Sequence, residues 1–276
     1  MLVSSKEMVI RAQREGYAIG AFNTSDLEIT KAIVAAAERM RSPVIIETSE
    51  HAIGYAGLEN IAQIIKTVAE SSSMPIALHL DHGTSIERVK DCISEGYTSV
   101  MFDGSHLSYD ENVRLTLEAV KIAHAKDIPC EGELGSIGKA GLKESEDTDP
   151  NEIKDFIDQT NIDFLAISFG STHGIDKEEK LNIDLLKEIR QKTDIPLVLH
   201  GSSGVSDDDM KLAIENGISK INMDTDIRFT FIREVRRILE ENPALFDPRK
   251  VLNPAVKAVE RLVEDKIKLY GSENRA

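Results

Sequence analysis

Pro75-Ile76-Ala77-Leu78-His79-Leu80-Asp81-His82-Gly83 is an apolar run of strand length that ends in an acid, an imidazole and a glycine. A carboxylate and a histidine are costly to bury without partners. At the C-terminal end of a barrel strand, however, the same pair can hold a metal and move a proton. Two later apolar runs also end in His-Gly, at His173-Gly174 and at His200-Gly201. We therefore expect these three ends to meet at one site.

Around this stretch, strand-like apolar runs alternate with amphipathic helical stretches at a nearly even period. Strands are predicted at residues 17–23, 43–49, 75–83, 97–104, 129–135, 164–170, 196–201 and 220–224. Because their apolar residues recur at helical spacing, helices are predicted at residues 4–15, 26–40, 58–69, 86–94, 111–125, 151–159, 183–191, 207–216, 227–240 and 255–269.

This alternation indicates an α/β fold with a parallel sheet. Eight strand-helix units in about 250 residues are typical of a closed (β/α)8 TIM barrel. The helix at 4–15 would precede the barrel, and the helix at 255–269 would be a C-terminal extension. An open doubly wound sheet is the alternative, although no Gly-x-Gly-x-x-Gly follows the first strand.

The composition is that of an ordinary globular protein. The 276 residues are 41% hydrophobic and 29% charged, without a linker or composition shift, so one domain over residues 1–276 is expected. A net charge of −15 argues against a nucleic-acid or anionic-membrane partner. No apolar run approaches the roughly 18 residues of a membrane span, and the charged first helix is not typical of a signal peptide. Two cysteines are too few for a disulfide scaffold, so a reduced, cytoplasmic protein is predicted.

The three His-Gly pairs indicate a metal site. Each histidine alone could equally be a packed or solvated side chain, but three neutral imidazoles with an open fourth position form a catalytic zinc site. His82, His173 and His200 would be its ligands. Asp81 is either a partner that orients an imidazole or a general acid–base group. Asp103 and Glu133 also lie at predicted strand ends, as partners of the ligands or as alternative ligands.

The last two strands are followed by turns that suit a phosphate. Gly201-Ser202-Ser203-Gly204 precedes one helix, and Asn222-Met223-Asp224-Thr225 precedes the next. Glycine-rich turns and helix N-termini present free N–H groups to anions, and barrels often bind phosphate after strands seven and eight. Two ordinary capped turns are the alternative.

Taken together, these motifs resemble class II, metal-dependent fructose/tagatose-bisphosphate aldolases over nearly the whole chain. Each motif is weak alone, but they stand in the order found in that family: Ala21-Phe22-Asn23, Leu78 to Gly83, Glu131-Gly132-Glu133-Leu134-Gly135, Ser171-Thr172-His173-Gly174, Leu199 to Gly204 and Asn222 to Thr225. The resemblance implies a (β/α)8 barrel, Zn2+, a phosphorylated sugar substrate cleaved to dihydroxyacetone phosphate, and a homodimer or homotetramer. Family members also bind a monovalent cation, Na+ or K+, which no residue pattern here identifies.

Carried over by position, the resemblance gives each motif a role. His82, His173 and His200 correspond to the zinc ligands, Asp81 to the proton donor, and Asp103 and Glu133 to a secondary metal position. Ser49 corresponds to a position near the aldehyde half of the substrate. The dihydroxyacetone-phosphate site would comprise Gly174, Gly201, Ser202, Ser203, Asn222, Met223, Asp224 and Thr225.

The residues also suit this chemistry. Splitting a ketose bisphosphate between C3 and C4 needs an electrophile at the C2 oxygen, which zinc supplies, and a base for the C4 hydroxyl proton, for which Asp81 is placed. A Schiff-base mechanism needs a lysine at a strand end. No lysine is predicted at the C-terminal end of a strand. Lys220 lies at the opposite end, where it opens the eighth strand.

The sequence departs from the family in one loop. Members commonly follow the strand-five motif with Gly-Gly-x-Glu-Asp, whose acid exchanges the C3 proton, whereas here Lys139 replaces the second glycine and Gly141 stands at the expected acid. We expect Glu146 to act as the C3 base, with Glu144 as the next candidate. A solvated acidic patch is the alternative.

The substrate and the class of enzyme leave alternatives open. Fructose 1,6-bisphosphate cleaved to dihydroxyacetone phosphate and glyceraldehyde 3-phosphate is the predicted reaction. Tagatose 1,6-bisphosphate or another ketose phosphate is the alternative substrate, since the sequence does not set the C4 configuration. A barrel metallohydrolase would share the three histidines but would not need two anion-binding turns. A non-catalytic barrel would keep the fold and bind zinc without turnover.

Overall fold

The computed structural model describes residues 2–136, 146–171 and 180–276. Eight parallel strands form a closed barrel in the order β1 to β8, with β1 paired to β8. The strands are β1 Ile19–Asn23, β2 Val44–Ser49, β3 Ile76–Gly83, β4 Ser99–Phe102, β5 Cys130–Leu134, β6 Phe164–Ile167, β7 Leu197–Leu199 and β8 Ile218–Met223. The closed barrel confirms the predicted fold and excludes the open sheet.

Helices alternate with these strands and cover the outside of the barrel. They are α1 Ser5–Glu15, α2 Leu27–Met40, α3 Glu50–Ala56, α4 Leu58–Glu70, α5 Ile86–Ser94, α6 Tyr109–His124, α7 Ile153–Thr160, α8 Ile183–Arg190, α9 Asp207–Glu215, α10 Thr225–Glu241 and α11 Pro248–Tyr270. Short polar residues begin several of them: the side chains of Asp26, Ser85 and Ser206 accept the N–H of the third residue of α2, α5 and α9. Such caps satisfy N–H groups that have no partner within the helix.

Three of the differences between the predicted and the observed elements bear on the fold or the site. Helix α3 was not predicted, although Ser49 caps it. Strand β8 begins at Ile218, two residues before the predicted start. Helix α11 begins at Pro248 and continues through Pro254, whereas the predicted helix began only after this proline, at Ala255. Proline removes one helical N–H, but Ala255, Val259 and other apolar residues of α11 are buried, and that burial favours an unbroken helix.

The polar ending of the chain, from Gly271 to Ala276, is bonded to the rest of the same chain. The N–H of Asn274 donates to the Met40 carbonyl, and the N–H of Ala276 donates to the carbonyl of Arg41. Ser272 is fully buried and its hydroxyl accepts from Ser42 at 3.1 Å. These bonds hold the ending on the same chain.

The barrel interior is layered because inward-facing side chains alternate along each strand. The part nearest the N-terminal ends of the strands is apolar, and Met8, Val9 and Ala12 of α1 cover it. The strand residues of this layer are Ile19, Ala21, Ile45, Ala77, Met101, Phe164, Ala166 and Val198. We call this layer the apolar plug. Above it, buried polar side chains form a second layer, and the site lies above that, where the strands end.

Along the described parts of the chain, no helix is long and apolar enough to cross a membrane.

Candidate active site

The site is built around an irregularity at the end of β3. The pairing of β3 with β4 shifts register between Leu80 and Gly83, so Asp81 and His82 lie in a bulge. His82 has a left-handed backbone with φ of 49°, which is uncommon for a residue other than glycine. Bulges re-aim side chains next to active sites, and this one turns the Asp81 and His82 side chains toward the centre of the barrel mouth.

The glycines beside the two described histidines meet requirements of the backbone. A Cβ on Gly83 would lie 2.7 Å from the Met101 carbonyl oxygen, so glycine is needed there for close contact between strands. Gly201 has φ of +64° and turns the chain after His200. Protein atoms therefore fill the space that a side chain at Gly83 would need.

Each imidazole has one nitrogen facing a carboxylate. His82 Nδ1 lies 2.7 Å from Asp103 Oδ2 and 3.6 Å from Glu133 Oε2. His200 Nε2 lies 2.8 Å from Glu131 Oε1. These contacts fix the ring orientations, because an N–H that donates to a carboxylate leaves the other ring nitrogen with a free lone pair.

The two remaining nitrogens face each other. His82 Nε2 and His200 Nδ1 are 3.0 Å apart, with the rings nearly perpendicular. If both carboxylate-facing nitrogens carry protons, two lone pairs meet at this distance. Such an arrangement is repulsive unless a proton or a metal ion lies between the rings. The geometry therefore fits two ligands of one ion.

The carboxylates around this pair favour a cation. Burial alone would lower the pKa of His82, but Asp81, Asp103 and Glu133 outweigh it and raise that pKa well above its ordinary value. Burial and the nearby Asp103 carboxylate raise the pKa of Glu133. Glu133 Oε2 is buried without a hydrogen-bond donor among the described residues. Ligand atoms of Asp81, His82 and His200, and those of His82, Asp103 and Glu133, converge closely enough to hold an ion.

Asp81 is held by two amides. Asn23 Nδ2 donates to Asp81 Oδ2 at 2.8 Å, and Asn222 Nδ2 donates to Asp81 Oδ1 at 3.1 Å. Oδ1 lies 3.8 Å from His82 Nε2. Burial would raise the pKa of Asp81, but His82, His200, Lys220 and Asn23 outweigh it and lower the pKa to about 2. The carboxylate is therefore ionised at neutral pH and able to accept a proton.

Below the histidines lies a buried charged cluster, which we call the ionic layer: Glu47, His79, Glu131 and Lys220. Lys220 Nζ lies 2.8 Å from Glu47 Oε1 and 2.9 Å from Glu131 Oε2. Burial opposes the charge of Lys220, but Glu131 and Glu47 raise its pKa above the ordinary value. Lys220 is an ammonium inside the barrel rather than the first residue of a strand, and it is unsuited to forming a Schiff base.

The two predicted phosphate turns lie side by side. Ser202 Oγ donates to the Asn222 carbonyl at 2.6 Å, and the Asp226 N–H donates to Ser203 Oγ at 3.2 Å. The side chain of Asp224, the N-cap residue of α10, makes no capping hydrogen bond. The Asp224 carboxylate instead pairs with Arg228 at 2.8 Å. Two helices thus begin together above β7 and β8.

The remaining predicted residues fall in three groups. Ser49 is the register partner of Asp81 and lies beside it at the barrel mouth. Met223 is buried at the end of β8, and Thr225 begins α10. Glu146 exchanges two backbone hydrogen bonds with Ser136 just after β5, and its side chain is exposed. His173, Gly174, Glu144, Lys139 and Gly141 lie outside the described residues.

Sequence reasoning did not assign roles to Asn23, Glu131 or Lys220. Glu131 and Glu133 are two residues apart on β5, so both face inward, and this spacing was the available signal for Glu131. His51 and His106, which follow predicted strand ends, are exposed to solvent.

The chain is similar over its whole length to known proteins. A family model described as "Fructose-bisphosphate aldolase class-II" matches residues 3–275. A fructose-bisphosphate aldolase of Geobacillus stearothermophilus is 41% identical over 287 residues, covering 100% of this chain and 99% of the relative. One from Thermus caldophilus is 40% identical, with 100% of each chain covered.

Solved structures agree with this similarity. The YdjI aldolase from Escherichia coli K12 has a TM-score of 0.89 and 34% identity, with 100% of both chains covered. The fructose-bisphosphate aldolase of Campylobacter jejuni has a TM-score of 0.86, with 100% of this chain and 97% of the Campylobacter chain covered. Its sequence identity of 23% supports the fold alone.

Proposed function

The chain belongs to the class II fructose-bisphosphate aldolase family, and we propose that it cleaves fructose 1,6-bisphosphate reversibly to dihydroxyacetone phosphate and glyceraldehyde 3-phosphate at the end of the barrel where His82 and His200 meet. As a member of this class it is an aldolase, a carbon–carbon lyase that depends on a metal. Zn2+ is the metal that the residues fit. The single observation that carries the site assignment is the 3.0 Å approach of His82 Nε2 to His200 Nδ1, with a carboxylate behind each ring.

His82 and His200 would hold the zinc with His173. Asp103 and Glu133 would offer a secondary metal position on the far side of His82. When bound, the zinc supplies a Lewis acid for the C2 carbonyl oxygen of the ketose. No described residue identifies a site for the Na+ or K+ that family members bind, so that cation remains a prediction.

Asp81 would take the proton from the C4 hydroxyl as the bond between C3 and C4 breaks. In the reverse direction it would return that proton to the aldehyde oxygen. Two features support this role. The carboxylate is ionised, with its pKa lowered to about 2, and Asn23 and Asn222 hold both of its oxygens. A base that is fixed in place accepts a proton without first reorganising.

The substrate assignment is tested by measuring cleavage of fructose 1,6-bisphosphate and tagatose 1,6-bisphosphate side by side. We expect a higher kcat/KM for the fructose isomer. A preference for the tagatose isomer would change the C4 assignment and keep the reaction class. If neither ester is cleaved, condensation of dihydroxyacetone phosphate with a panel of aldehydes identifies the far half of the substrate.

We expect Ser203→Ala to weaken binding of dihydroxyacetone phosphate far more than binding of zinc. Ser203 Oγ accepts the Asp226 N–H where the turn after β7 meets the first turn of α10, and the N-terminus of a helix suits a phosphate. The measurement is the inhibition constant of dihydroxyacetone phosphate beside zinc content. Ser206→Ala is the matched control, since Ser206 caps α9 in the same turn. Equal loss of zinc and phosphate affinity would instead indicate collapse of the barrel mouth.

We expect Glu146→Gln to slow solvent exchange of the C3 proton of dihydroxyacetone phosphate when no aldehyde is present. The Glu146 backbone is fixed opposite Ser136, at the end of the barrel that carries the site, while its side chain is exposed and available to move. Deuterium incorporation followed by NMR gives the rate, and zinc content should not change.

The neighbouring Asp147→Asn is the control for this loop, since Asp147 is also an exposed carboxylate. If Glu146→Gln and Glu144→Gln both exchange at the parent rate, the C3 base lies elsewhere. The departure from the family pattern would then mark a different proton route or a different substrate.

We further propose a cytoplasmic homodimer or homotetramer, organised as one domain over residues 1–276. Helix α10 supports the assembly, because only Ile227 and Thr230 of its seventeen residues are buried. Phe229 and Ile232 are 47% and 46% exposed on it. Exposed apolar side chains grouped on one helix are typical of an interface. The molar mass in solution distinguishes dimer from tetramer.

A further inference from the structure

The ionic layer has features that the reaction alone does not explain. A buried lysine and two buried glutamates are costly to remove from water, and such clusters are often no more stabilising than apolar residues of similar size. In this barrel the cluster is in contact with His200, through Glu131.

We propose that Glu131 is a positioning residue for the metal site: its carboxylate accepts the Nε2–H of His200, so that Nδ1 is left unprotonated and directed at His82, and Lys220 holds that carboxylate in place. This inference rests on the proposed zinc site and assigns a role to two residues outside it.

The two oxygens of Glu131 have separate partners. Oε1 lies 2.8 Å from His200 Nε2, and Oε2 lies 2.9 Å from Lys220 Nζ. One carboxylate thus joins the lysine to the imidazole, and its orientation is fixed at both ends. All three side chains are buried, so water does not compete for these bonds and they are strengthened by the low local dielectric.

The charge on Glu131 is preserved despite burial. The Lys220 ammonium lies 2.9 Å from Glu131 Oε2 and favours the charged form of this buried carboxyl. A charged acceptor makes a stronger hydrogen bond than a neutral one. It therefore favours the Nε2–H tautomer of His200 over the Nδ1–H tautomer, which could not bind a metal through Nδ1.

The other carboxylate of the layer provides a matched control. Glu47 Oε1 lies 2.8 Å from the same Lys220 Nζ, and Glu47 is equally buried. Burial raises the pKa of Glu47 to about 8 in spite of Lys220. Among the described residues no hydrogen bond joins Glu47 to His200. Glu47→Gln and Glu131→Gln are thus the same change on two sides of one lysine.

The test compares the zinc dissociation constants of these two variants, measured on the full chain by competition with a chromophoric chelator at pH 7. Loss of a partner behind a metal-binding histidine typically weakens metal affinity by about 10- to 100-fold. We expect a loss of that size for Glu131→Gln and less than about threefold for Glu47→Gln. Equal dissociation constants in the two variants would overturn the proposal.

The absorption spectrum of the cobalt-substituted protein gives a second readout, which does not depend on catalytic activity. The visible absorption of Co2+ reports the geometry of its ligands, so Glu131→Gln should shift the spectrum and Glu47→Gln should leave it unchanged. An unchanged spectrum for Glu131→Gln would also overturn the proposal.

Glu131→Gln removes one of the two carboxyl groups beside the buried Lys220 ammonium, and this loss of charge could destabilise the fold. The double variant Glu131→Gln, Lys220→Met removes both charges and keeps the side chains at similar size. If it folds and binds zinc as tightly as the parent, the ionic layer does not position His200. If the parent itself binds no zinc, the proposed function fails, which is a different result from equal affinities in the two glutamate variants.

Discussion

His82→Ala should remove zinc and aldolase activity together while the barrel stays folded. His82 lies at the barrel mouth with a side chain that is 24% exposed, so its removal leaves little void in the core. The variant loses one of the nitrogens that meet 3.0 Å apart, and two remaining protein ligands rarely retain catalytic zinc. Metal analysis, turnover and thermal unfolding of the same preparation check the three parts of this result.

The backbone at His82 requires a second variant. With φ of 49°, alanine costs conformational free energy that asparagine largely avoids, since asparagine tolerates this region. His82→Asn should therefore unfold at a higher temperature than His82→Ala and lack activity equally. His106→Ala, at an exposed histidine after β4, is the control and should keep both zinc and turnover. Full activity of the parent after complete removal of metal would contradict the assignment.

Asp81→Asn should lower kcat by roughly 10²–10⁴-fold, the usual contribution of a general acid–base group. Zinc content and the KM for the ketose bisphosphate should change little, because an amide has nearly the shape of a carboxylate. The new NH2 group would face Asn23 or Asn222, both of which donate to Asp81, but a rotation of the Asn23 amide can restore an acceptor. Steady-state kinetics at saturating substrate measure the effect.

A milder variant separates chemistry from positioning at the same carboxylate. Asn23→Ala removes one hydrogen bond to Asp81 and leaves the base in place, so its kcat should fall less than that of Asp81→Asn. If Asp81→Asn changed only KM, Asp81 would be a binding or structural group.

Much of the barrel could be predicted from local sequence. Pro43, Pro75, Pro129 and Pro196 each precede a strand that begins at the following residue, since proline lacks an N–H for the sheet. The histidine motifs could be identified from local sequence equally well, because Asp81 and His82 lie at the end of an apolar run. The proposed metal ligands and their neighbouring acids therefore carry signals in adjacent residues.

The ionic layer could not be predicted in the same way. Lys220 has a polar neighbour, Ser219, and resembles a residue at the start of a strand, so β8 was predicted to begin too late. Its burial depends on Glu131, which is 89 residues away in sequence, and on Glu47 across the barrel. Helix α3 was missed because its seven residues are too few to show helical periodicity.

The apolar plug has a consequence for how the enzyme should respond to ionic strength. Dissolved ions screen charges that they can approach, within a Debye length of about 8 Å at physiological salt, and screen buried pairs much less. The ionic layer is covered from below by α1 and the apolar plug, whereas the turns after β7 and β8 face the open mouth. Added potassium chloride should therefore raise the KM for a phosphorylated substrate, while the zinc affinity that we propose to depend on Glu131 and Lys220 stays nearly constant.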